Sequence, residues 1–468
     1  MVPSSRVIIP LLLPALAALC FAADNKVDTS RYQAAANKLI DAALADDAGL
    51  NRLEYLCYRI GNRLSGSAAL DQAIAWGADE MKEAGLANVR TIPVKVPHWV
   101  RGRESAEMLE PLQKPVFILG LGGSIATPPA GITADVVAVS DFNELEKLGR
   151  PAVEGKIVLY DAPFVTYGQT VTYRTNGASR AARLGAVAAL VRSITPRSLR
   201  DPHTGAMEYS ASDPRIPTAA VSVEDAMWIH SLTRTGQRVR VRLTMEAHAE
   251  PDADSADVIG EIVGREKPDE VIVMGGHIDS WDVGQGAHDD GGGMLAALEA
   301  AALIKKLGLQ PRRTIRVVFW TNEENGGRGG VAYRDWAASQ SNRHLAAIEM
   351  DGGAEKPIGF DLALSPRRPR GSSAHEPKAP SDWMLRATAV GSLLKRIDAA
   401  KIEPGNGEAD IEPLMADGVP AFGLRTVGTH YFDYHHTQAD TFDKIVPNDF
   451  KRCAAAMAVM SYVLADLP

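Results

Sequence analysis

Residues 271–301, VIVMGGHIDSWDVGQGAHDDGGGMLAALEAA, place histidines and aspartates between an apolar run and an alanine-rich stretch. The apolar run has the composition of a buried strand, and the alanine-rich stretch has the composition of a helix. Imidazole nitrogens and carboxylate oxygens are ligands that zinc accepts where no cysteine is available. The segment therefore predicts a metal site where a strand ends and a helix begins.

Other histidines and acids stand where further predicted strands end. In chain order the complete set is His277, Asp289 with Asp290, Glu323 with Glu324, Asp351, and His435 with His436. Ligands of open α/β sheets bind outside the carboxyl ends of the strands, so we expect these side chains to converge on one sheet edge. Histidine and carboxylate ligands without cysteine suit a pair of metal ions that promote hydrolysis.

Each of these groups also has an ordinary structural explanation. An aspartate pair before glycines commonly caps a helix, two adjacent glutamates commonly form a solvated turn, and a lone histidine commonly lies at the surface. Independent structural causes would not, however, place a metal-ligand type at every one of these strand ends. The coincidence favours the metal site.

The spacing of two pairs indicates further roles. His277 and Asp279 are two residues apart, so in extended backbone their side chains point to the same side. The Asp279 carboxylate could then accept a hydrogen bond from the ring nitrogen that does not bind metal. Glu323 and Glu324 are adjacent, so one can bind a metal while the other takes a proton from water as general base. Near them in sequence, Trp281, Asp282 and Gln285 are candidates for a pocket wall.

The organisation of the chain predicts an α/β fold. Apolar segments such as EVIVMGGHID, RTIRVVFWTN and VPAFGLRT alternate with helical stretches, which is typical of a mixed, mostly parallel sheet flanked by helices. Residues 115–245 differ, since EGKIVLYDAP and NGASRAARLGAVAALVRSI predict an inserted α+β module. We therefore expect α/β segments at 23–114 and 246–468 with the insertion between them.

The first 22 residues have the layout of a secretory signal peptide. Arg6 precedes an apolar stretch over residues 7–19, and cleavage after Ala22 would follow small residues. This predicts an exported protein, periplasmic or secreted, with no membrane span in the mature chain; a short buried helix is the alternative. The formal charge of −8 argues against a nucleic-acid partner. Cys57 and Cys453 are expected to be small buried residues.

Four stretches in this order resemble the M28 family of dinuclear zinc exopeptidases, namely GGHIDSWDVGQGAHDDGGG, FWTNEENGGRGG, EMDGG and YHHTQADT. The resemblance is strongest to the carboxypeptidase Q branch, through HIDSWDVGQGA and DDGGG, and it covers essentially the whole mature chain. The 115–245 insertion, with GKIVLYD and AARLGAVAALV, resembles the protease-associated (PA) domain of many family members. Any one of these stretches alone would be weak support.

The resemblance implies a zinc exopeptidase/phosphorylase-hydrolase-like fold and two zinc ions per chain. It implies these roles: His277 and Asp351 as ligands of the first ion, Asp289 as the bridge, Glu324 and His436 as ligands of the second, Glu323 as the general base, and Asp279 as the residue that orients His277. Asp290 is then structural and follows a cis peptide bond. The substrates are expected to be dipeptides or short peptides with a free amino terminus, and the branch suggests a homodimer.

Some alternatives stay open at this point. A single-zinc glutaminyl cyclase, a receptor-like member without metals, and a phosphate or sulfate ester hydrolase are competing functions. His435 competes with His436 as the ligand, and His288 could be a surface residue or a pocket wall. The residues that determine substrate preference could come from segment 360–410. This segment is rich in Pro, Arg and Ser, which predicts a long loop.

Overall fold

The computed structural model describes residues 27–340, 342–364 and 382–468. In this part of the chain the strands, numbered in order, are β1 (Ala87–Val100), β2 (Glu104–Glu110), β3 (Lys114–Val116), β4 (Ile118–Gly120), β5 (Ile132–Val139), β6 (Ile157–Tyr160), β7 (Ala188–Arg192), β8 (Thr218–Val221), β9 (Arg240–Met245), β10 (His248–Ile262), β11 (Lys267–His277), β12 (Arg313–Trp320), β13 (Arg343–Glu349), β14 (Pro357–Ala363), β15 (Lys401–Pro404) and β16 (Ala421–Thr426).

The helices of the same residues are α1 (Gln33–Ala45), α2 (Ala48–Tyr55), α3 (Ala68–Glu83), α4 (Phe142–Val153), α5 (Tyr167–Thr170), α6 (Thr172–Arg183), α7 (Val223–Arg234), α8 (Gly292–Lys306), α9 (Arg328–Ser339), α10 (Asp382–Gly391), α11 (Glu412–Ala416), α12 (Tyr431–Tyr434) and α13 (Pro447–Asp466). The predicted signal peptide, residues 1–22, and residues 365–381 of the predicted loop lie outside the described residues. The prediction of a long loop is wrong for the described remainder of segment 360–410, which includes the end of β14, α10 and β15. Among the helices that are described, none is both long enough and apolar enough to cross a membrane.

The first sheet has eight strands in the order β1-β10-β12-β11-β13-β16-β14-β15. Its centre, β12, β11, β13 and β16, is parallel, whereas β10 and β14 join it in antiparallel register. Parallel strands covered on both faces are continuous apolar runs, and every residue of β12 is buried. The predicted mixed, mostly parallel α/β sheet is confirmed.

Helices cover both faces of this sheet because its central strands bury side chains alternately on either side. Ile272 and Met274 of β11 belong to the core that includes α8 and α13, and Val271 and Val273 belong to the core on the opposite face, beside α9 and α11. Burying one such aliphatic side chain fully contributes about 1.5–3 kcal/mol. The sheet is thus clamped between two apolar layers that keep its strand ends in place.

A second eight-stranded sheet, in the order β3-β2-β9-β5-β6-β7-β8-β4, is built from strands between Glu104 and Met245. β5, β6, β7 and β8 are parallel, and the sheet has separate apolar cores on its faces. This is an α+β module inserted between β1 and β10 of the first sheet. The segment boundaries 23–114, 115–245 and 246–468 stay a prediction.

Cys57 and Cys453 are free and buried, as expected for small apolar residues. The Cys453 thiol lies in hydrogen-bond contact, 3.2 Å, with the carbonyl oxygen of Glu355. Burial raises the pKa of the Cys57 thiol to about 12. Neither cysteine is therefore a reactive thiolate near neutral pH.

The glycines in the first turn of α8 are required by a close approach between that helix and the end of β13. A Cβ atom on Gly293 would lie 1.8 Å from the carbonyl oxygen of Met350 and 2.4 Å from Oδ1 of Asp290. A Cβ on Gly276, at the end of β11, would lie 2.1 Å from Oδ2 of Asp290. Because Gly276 and Gly293 have no side chain, the Asp290 carboxylate fits between the end of β11 and the start of α8.

We expect Gly293→Ala to lower the free energy of unfolding by about 1–3 kcal/mol, because backbone must move to admit the methyl group. Urea unfolding of the purified variant measures this change. Gly352→Ala is the matched control, since a Cβ there would meet no atom within 4 Å. Equal stability of the two variants would contradict the close approach.

Candidate metal centre

The carboxyl ends of the parallel strands of the first sheet meet at one edge, as their register requires. His277 is the last residue of β11, Glu323 and Glu324 follow β12, and Asp351 follows β13. Asp289 lies in the helical turn Ala287–Gly291 before α8, and His436 follows α12. The structure therefore brings the sequence-predicted ligands to a single edge.

Asp289 lies between the two histidines. Its Oδ1 atom is 3.2 Å from Nε2 of His277, which is also 3.5 Å from Oδ1 of Asp351. Its Oδ2 atom is 3.3 Å from Nε2 of His436, which is also 3.1 Å from Oε2 of Glu324. One carboxylate thus connects a His277–Asp351 group to a His436–Glu324 group, an arrangement that could hold one cation on each side.

Buried atoms that lack hydrogen bonds support a metal at this place. Nε2 of His277, Oδ2 of Asp289, Oε1 of Glu324 and Oδ1 of Asp351 are buried and make no hydrogen bond within the part of the chain that the structure describes. A buried polar atom without a partner costs about 1–3 kcal/mol. Coordination of a cation would satisfy all four atoms, and nitrogen with carboxylate oxygen is a donor set that zinc accepts. The residues present fit zinc.

Neighbouring charges and burial shift the pKa values of the residues in the cluster. Burial opposes protonation of His436, but Glu324 and Asp289 outweigh it and the pKa of His436 lies well above its usual value. Burial opposes ionisation of Asp289, but the ring nitrogens of His277 and His436 outweigh it and hold the Asp289 pKa well below its usual value. Burial and Asp289 raise the pKa of Glu324 to about 7. Metal binding displaces such protons from ligands, so a cation can replace their charge.

The hydrogen bond predicted between His277 and the Asp279 carboxylate is wrong in its acceptor. Nδ1 of His277 lies 3.0 Å from the backbone carbonyl oxygen of Asp279, whereas the Asp279 Oδ1 atom is 3.7 Å away. The carboxylate accepts instead from the backbone N–H groups of Glu323, at 3.1 Å, and Glu324, at 3.3 Å. Asp279 therefore fixes His277 through its main chain and the loop after β12 through its side chain.

Two further aspartates hold the backbone around Asp289. Oδ2 of Asp290 accepts from the N–H of His277 at 3.1 Å, and Oδ1 accepts from Gly293 at 3.0 Å. Asp290 is thus structural, and the peptide bond that precedes it is cis, as the resemblance implies. The Asp440 carboxylate accepts from the N–H groups of His288, at 2.7 Å, and Asp289, at 3.1 Å. Sequence reasoning missed Asp440, although it lies within YHHTQADT.

The geometry favours His436 over His435 as the ligand. Nε2 of His435 is 3.7 Å from Oδ2 of Asp289, farther than Nε2 of His436, and the two rings stack at 3.6 Å between centroids. His288 is neither a surface residue nor a cavity wall, since it is buried and its Nδ1 atom accepts from the N–H of Ala354. Its ring stacks on Tyr434.

Trp281, Asp282 and Gln285, the three candidates for a pocket wall, do not line the cavity that opens over the cluster. They support the loop that follows β11 instead. Trp281 is buried against the His436 ring, with centroids 5.6 Å apart. Asp282 forms an ion pair with Arg101, and Gln285 accepts from the backbone of Phe442. These three side chains therefore pack around the cluster and do not form a wall of the cavity.

A buried arginine that sequence reasoning missed holds the same loop. Arg63 is fully buried and donates to the carbonyl oxygens of Ile278 at 2.6 Å, Gln285 at 2.7 Å and Gly286 at 3.0 Å. Hydrogen bonds from a charged donor are stronger than neutral ones. Arg63 therefore fixes the chain between His277 and Asp289. Lone arginines carry no motif, so no local signal could have identified it.

A cavity of about 790 Å³ opens over the cluster and is lined by both modules. Glu323, Glu324 and Asp351 line it from the first sheet, and Asn406, Glu408 and Ala409 line it from the predicted 360–410 segment. Tyr167, Gly168 and Arg174 line it from the inserted module. This last contribution was not predicted, because residues 115–245 contain almost no acid–histidine clusters.

Comparison with known proteins identifies the family of the chain. The model of peptidase family M28 matches residues 257–461, and the PA domain model matches residues 127–229. Carboxypeptidase Q of Xenopus laevis is 43% identical over 445 residues, which cover 94% of this chain and 92% of that protein. Carboxypeptidase Q of Bos taurus is 41% identical, with 94% and 91% covered.

Solved structures give the same result. The peptidase M28 precursor from Shewanella amazonensis SB2B superimposes with a TM-score of 0.86 at 33% identity, covering 93% of this chain and 97% of that one. The aminopeptidase from Aneurinibacillus sp. strain AM-1 shares the fold, with a TM-score of 0.63 at 18% identity over 92% of this chain and 97% of that one. The chain therefore belongs to peptidase family M28 and is a metallopeptidase with an inserted PA domain.

Proposed function

We propose that this chain is a dinuclear zinc exopeptidase that hydrolyses dipeptides or short peptides with a free amino terminus. The observation that carries the proposal is the position of Asp289, whose two oxygens face His277 at 3.2 Å and His436 at 3.3 Å. Family membership and the carboxypeptidase Q relatives support an exopeptidase that uses zinc. The count of two ions is the part that rests on this geometry.

In this proposal each side of Asp289 holds one ion. His277 and Asp351 would bind the first, Glu324 and His436 the second, and Asp289 both. Bound zinc supplies Lewis acidity that polarises the scissile carbonyl and makes water easier to deprotonate. The buried ligands and their fixed backbone keep the donors oriented before the substrate arrives, which limits reorganisation during the reaction.

Glu323 acts as the general base. Its side chain borders the cavity next to Glu324, and its backbone N–H is held by the Asp279 carboxylate at 3.1 Å. Glu323 takes a proton from the attacking water while the water oxygen bonds to the carbonyl carbon. The same carboxyl then gives that proton to the amine nitrogen as the C–N bond breaks. Asp279 is a positioning residue, since it holds this loop and the His277 ring.

Three other functions are less well supported. A single-zinc glutaminyl cyclase needs one ion, whereas donors are complete on both sides of Asp289. A receptor-like member without metals has no need of these buried donors. An ester hydrolase could use the same pair of ions, but the chain belongs to a peptidase family, which favours peptide substrates. Export and a homodimer remain predictions, the first from residues 1–22 and the second from the resemblance.

Substrate selectivity separates these functions. Purified protein is assayed for bound zinc by elemental analysis and for turnover of Leu-Leu, N-acetyl-Leu-Leu, a peptide with an N-terminal glutamine, and p-nitrophenyl phosphate. We expect two zinc ions per chain and preferential hydrolysis of Leu-Leu. Turnover of the phosphate ester alone, or cyclisation with one bound ion, would replace the proposal.

Glu323→Gln tests the general base. We expect kcat for Leu-Leu to fall about 10²–10⁴-fold while zinc content stays at the wild-type level, because the base is lost and the ligands remain. Steady-state kinetics and metal analysis on the same preparation measure both quantities. Glu83→Gln, on an exposed face of α3, is the control. An unchanged kcat in Glu323→Gln would exclude the assigned role.

Asp289→Ala tests the shared ligand. We expect fewer zinc ions per chain after dialysis against a weak chelator, because one residue contributes to both ion positions. Asp254→Asn, an exposed partner of Lys95, should keep the wild-type content. If Asp289→Ala also keeps it, Asp289 does not connect two ions.

Asp279→Asn tests the positioning role. Loss of one carboxylate acceptor leaves the backbone carbonyl contact to His277 in place, so we expect a loss of about 10–100-fold in zinc affinity or kcat/KM. A loss as large as that of Glu323→Gln would argue that Asp279 takes part in proton transfer.

A further inference from the structure

The loop that follows β11 carries a proposed metal ligand at each end. His277 precedes it, Asp289 follows it, and residues 278–286 between them have irregular backbone. Irregular backbone has many conformations to lose, so contacts must fix it if both ligands are to meet at one centre. Arg63 and Asp440 hold the two ends of this metal loop from segments outside the inserted module.

The middle of the metal loop is held by the linker that leads into the inserted module. Arg101 is the first residue after β1 of the first sheet, and β2 of the second sheet begins three residues later, at Glu104. Nε of Arg101 donates to Oδ2 of Asp282 at 2.8 Å, and Nη2 donates to Oδ1 at 2.5 Å. Such a bidentate pair fixes orientation as well as distance. The two side chains are only 10% and 26% exposed, so water and salt screen their attraction weakly.

The same guanidinium also contacts the inserted module. Nη1 of Arg101 donates to the carbonyl oxygen of Gly120, the last residue of β4, and Nη2 lies 3.4 Å from the Thr204 hydroxyl. That hydroxyl donates to the Gly120 oxygen at 2.7 Å, and the Thr204 N–H donates to the carbonyl oxygen of His436 at 2.9 Å. Arg101 therefore connects the metal loop to two segments of the module, one of which contacts another proposed ligand.

The residue before Asp282 inserts into the module itself. Trp281 is 2% exposed and belongs to an apolar core of the second sheet, although it follows a strand of the first. A Cβ atom on Gly122 would lie 2.1 Å from Cη2 of the indole, so this ring packs directly on the backbone after β4. The indole also lies 5.6 Å from the His436 ring, between centroids. Apolar burial and an ion pair thus anchor adjacent residues of the metal loop in the module.

We propose that zinc binding and the docking of the inserted module are coupled through Arg101, Asp282 and Trp281, which act as positioning residues for His277 and Asp289. This inference rests on the proposed function, since it requires the ions. Metal binding would fix both ends of the loop, and the docked module fixes its middle. Each therefore reduces the conformational entropy that the other has to remove. Such coupling is reciprocal, so loosening the module weakens zinc binding and removing zinc loosens the module.

Zinc affinity of the full chain, measured by competition with a chromophoric chelator, tests the coupling in one direction. We expect Asp282→Asn to weaken zinc binding about 10–100-fold, the range for residues that orient metal ligands without touching the metal. Arg101→Gln should have a similar effect. The double variant should bind no more weakly than the weaker single variant, because both changes remove the same contact. Asp282→Glu keeps a carboxylate and should retain more affinity than Asp282→Asn.

Arg103→Gln is the matched control. Arg103 lies on the same linker, and its side chain pairs with Glu246 on the linker that leads back to β10. The Arg103 side chain is 91% exposed, and exposed ion pairs contribute little free energy. We therefore expect this variant to bind zinc within about twofold of wild type.

Hydrogen exchange followed by mass spectrometry tests the coupling in the other direction. In wild type, removal of zinc should speed exchange in residues 118–122 and 204–207 of the module, although neither range contains a proposed ligand. In Asp282→Asn the zinc-dependent difference should disappear from 118–122, because the Arg101 contact to the metal loop is lost. It should persist at 204–207, since Thr204 bonds directly to His436.

Three outcomes would overturn the coupling. Wild-type zinc affinity in both Asp282→Asn and Arg101→Gln would show that the ion pair only stabilises the module. Additive losses in the double variant would show that the two residues act separately. Zinc-dependent exchange confined to the first sheet would show that the module does not respond to the ions. Where a variant fails to fold, Asp282→Glu and Arg101→Lys provide the same comparison.

Failure of the coupling can be distinguished from failure of the proposed function. A wild-type chain that binds no zinc would overturn both. Wild-type zinc binding together with any of these three outcomes would overturn the coupling alone.

Discussion

Buried negative charge at the carboxyl edge of the first sheet is the constraint on which the rest of the molecule depends. Asp289, Glu324 and Asp351 lie within 3.5 Å of a histidine nitrogen, and some of their atoms have no other partner. Carboxylates are removed from water only if protons or cations compensate them. The sheet, the glycine run and the buried arginine next to this edge all serve to hold that charge in one place.

The same chemistry also builds the scaffold of the site. Asp279, Asp290 and Asp440 each accept two backbone N–H groups, and each joins segments that are far apart in sequence or turn sharply. Charge-assisted bonds to backbone are stronger than neutral ones and fix main-chain positions as well as side chains. The donors of the centre are therefore placed by rigid backbone, which preorganises them.

The inserted module is part of the centre. The Thr204 carbonyl oxygen orients the ring of His436, and Tyr167 packs on the segment that carries both adjacent histidines. The second sheet has its own apolar cores, so it holds these contacts on a rigid support. The inserted module, which the sequence predicts as a separate unit, thus contributes one wall of the cavity and one contact to the ring of His436, a proposed metal ligand.

The parallel strands and the ligand types at their ends could be predicted from the sequence, because apolar periodicity and residue chemistry are local properties of the chain. The wider set of His277, Asp289, Asp290, Glu323, Glu324, Asp351, His435 and His436 could be selected in this way, and the resemblance to the M28 family supplied the expected role of each. The folded structure was needed to show which atom of Asp279 contacts His277 and that His288 is buried beside the cluster. It was also needed to show that Arg63, Asp440 and Arg174 belong to the site. These contacts depend on distances of a few ångströms between segments that are up to hundreds of residues apart. No pattern along one chain encodes such distances.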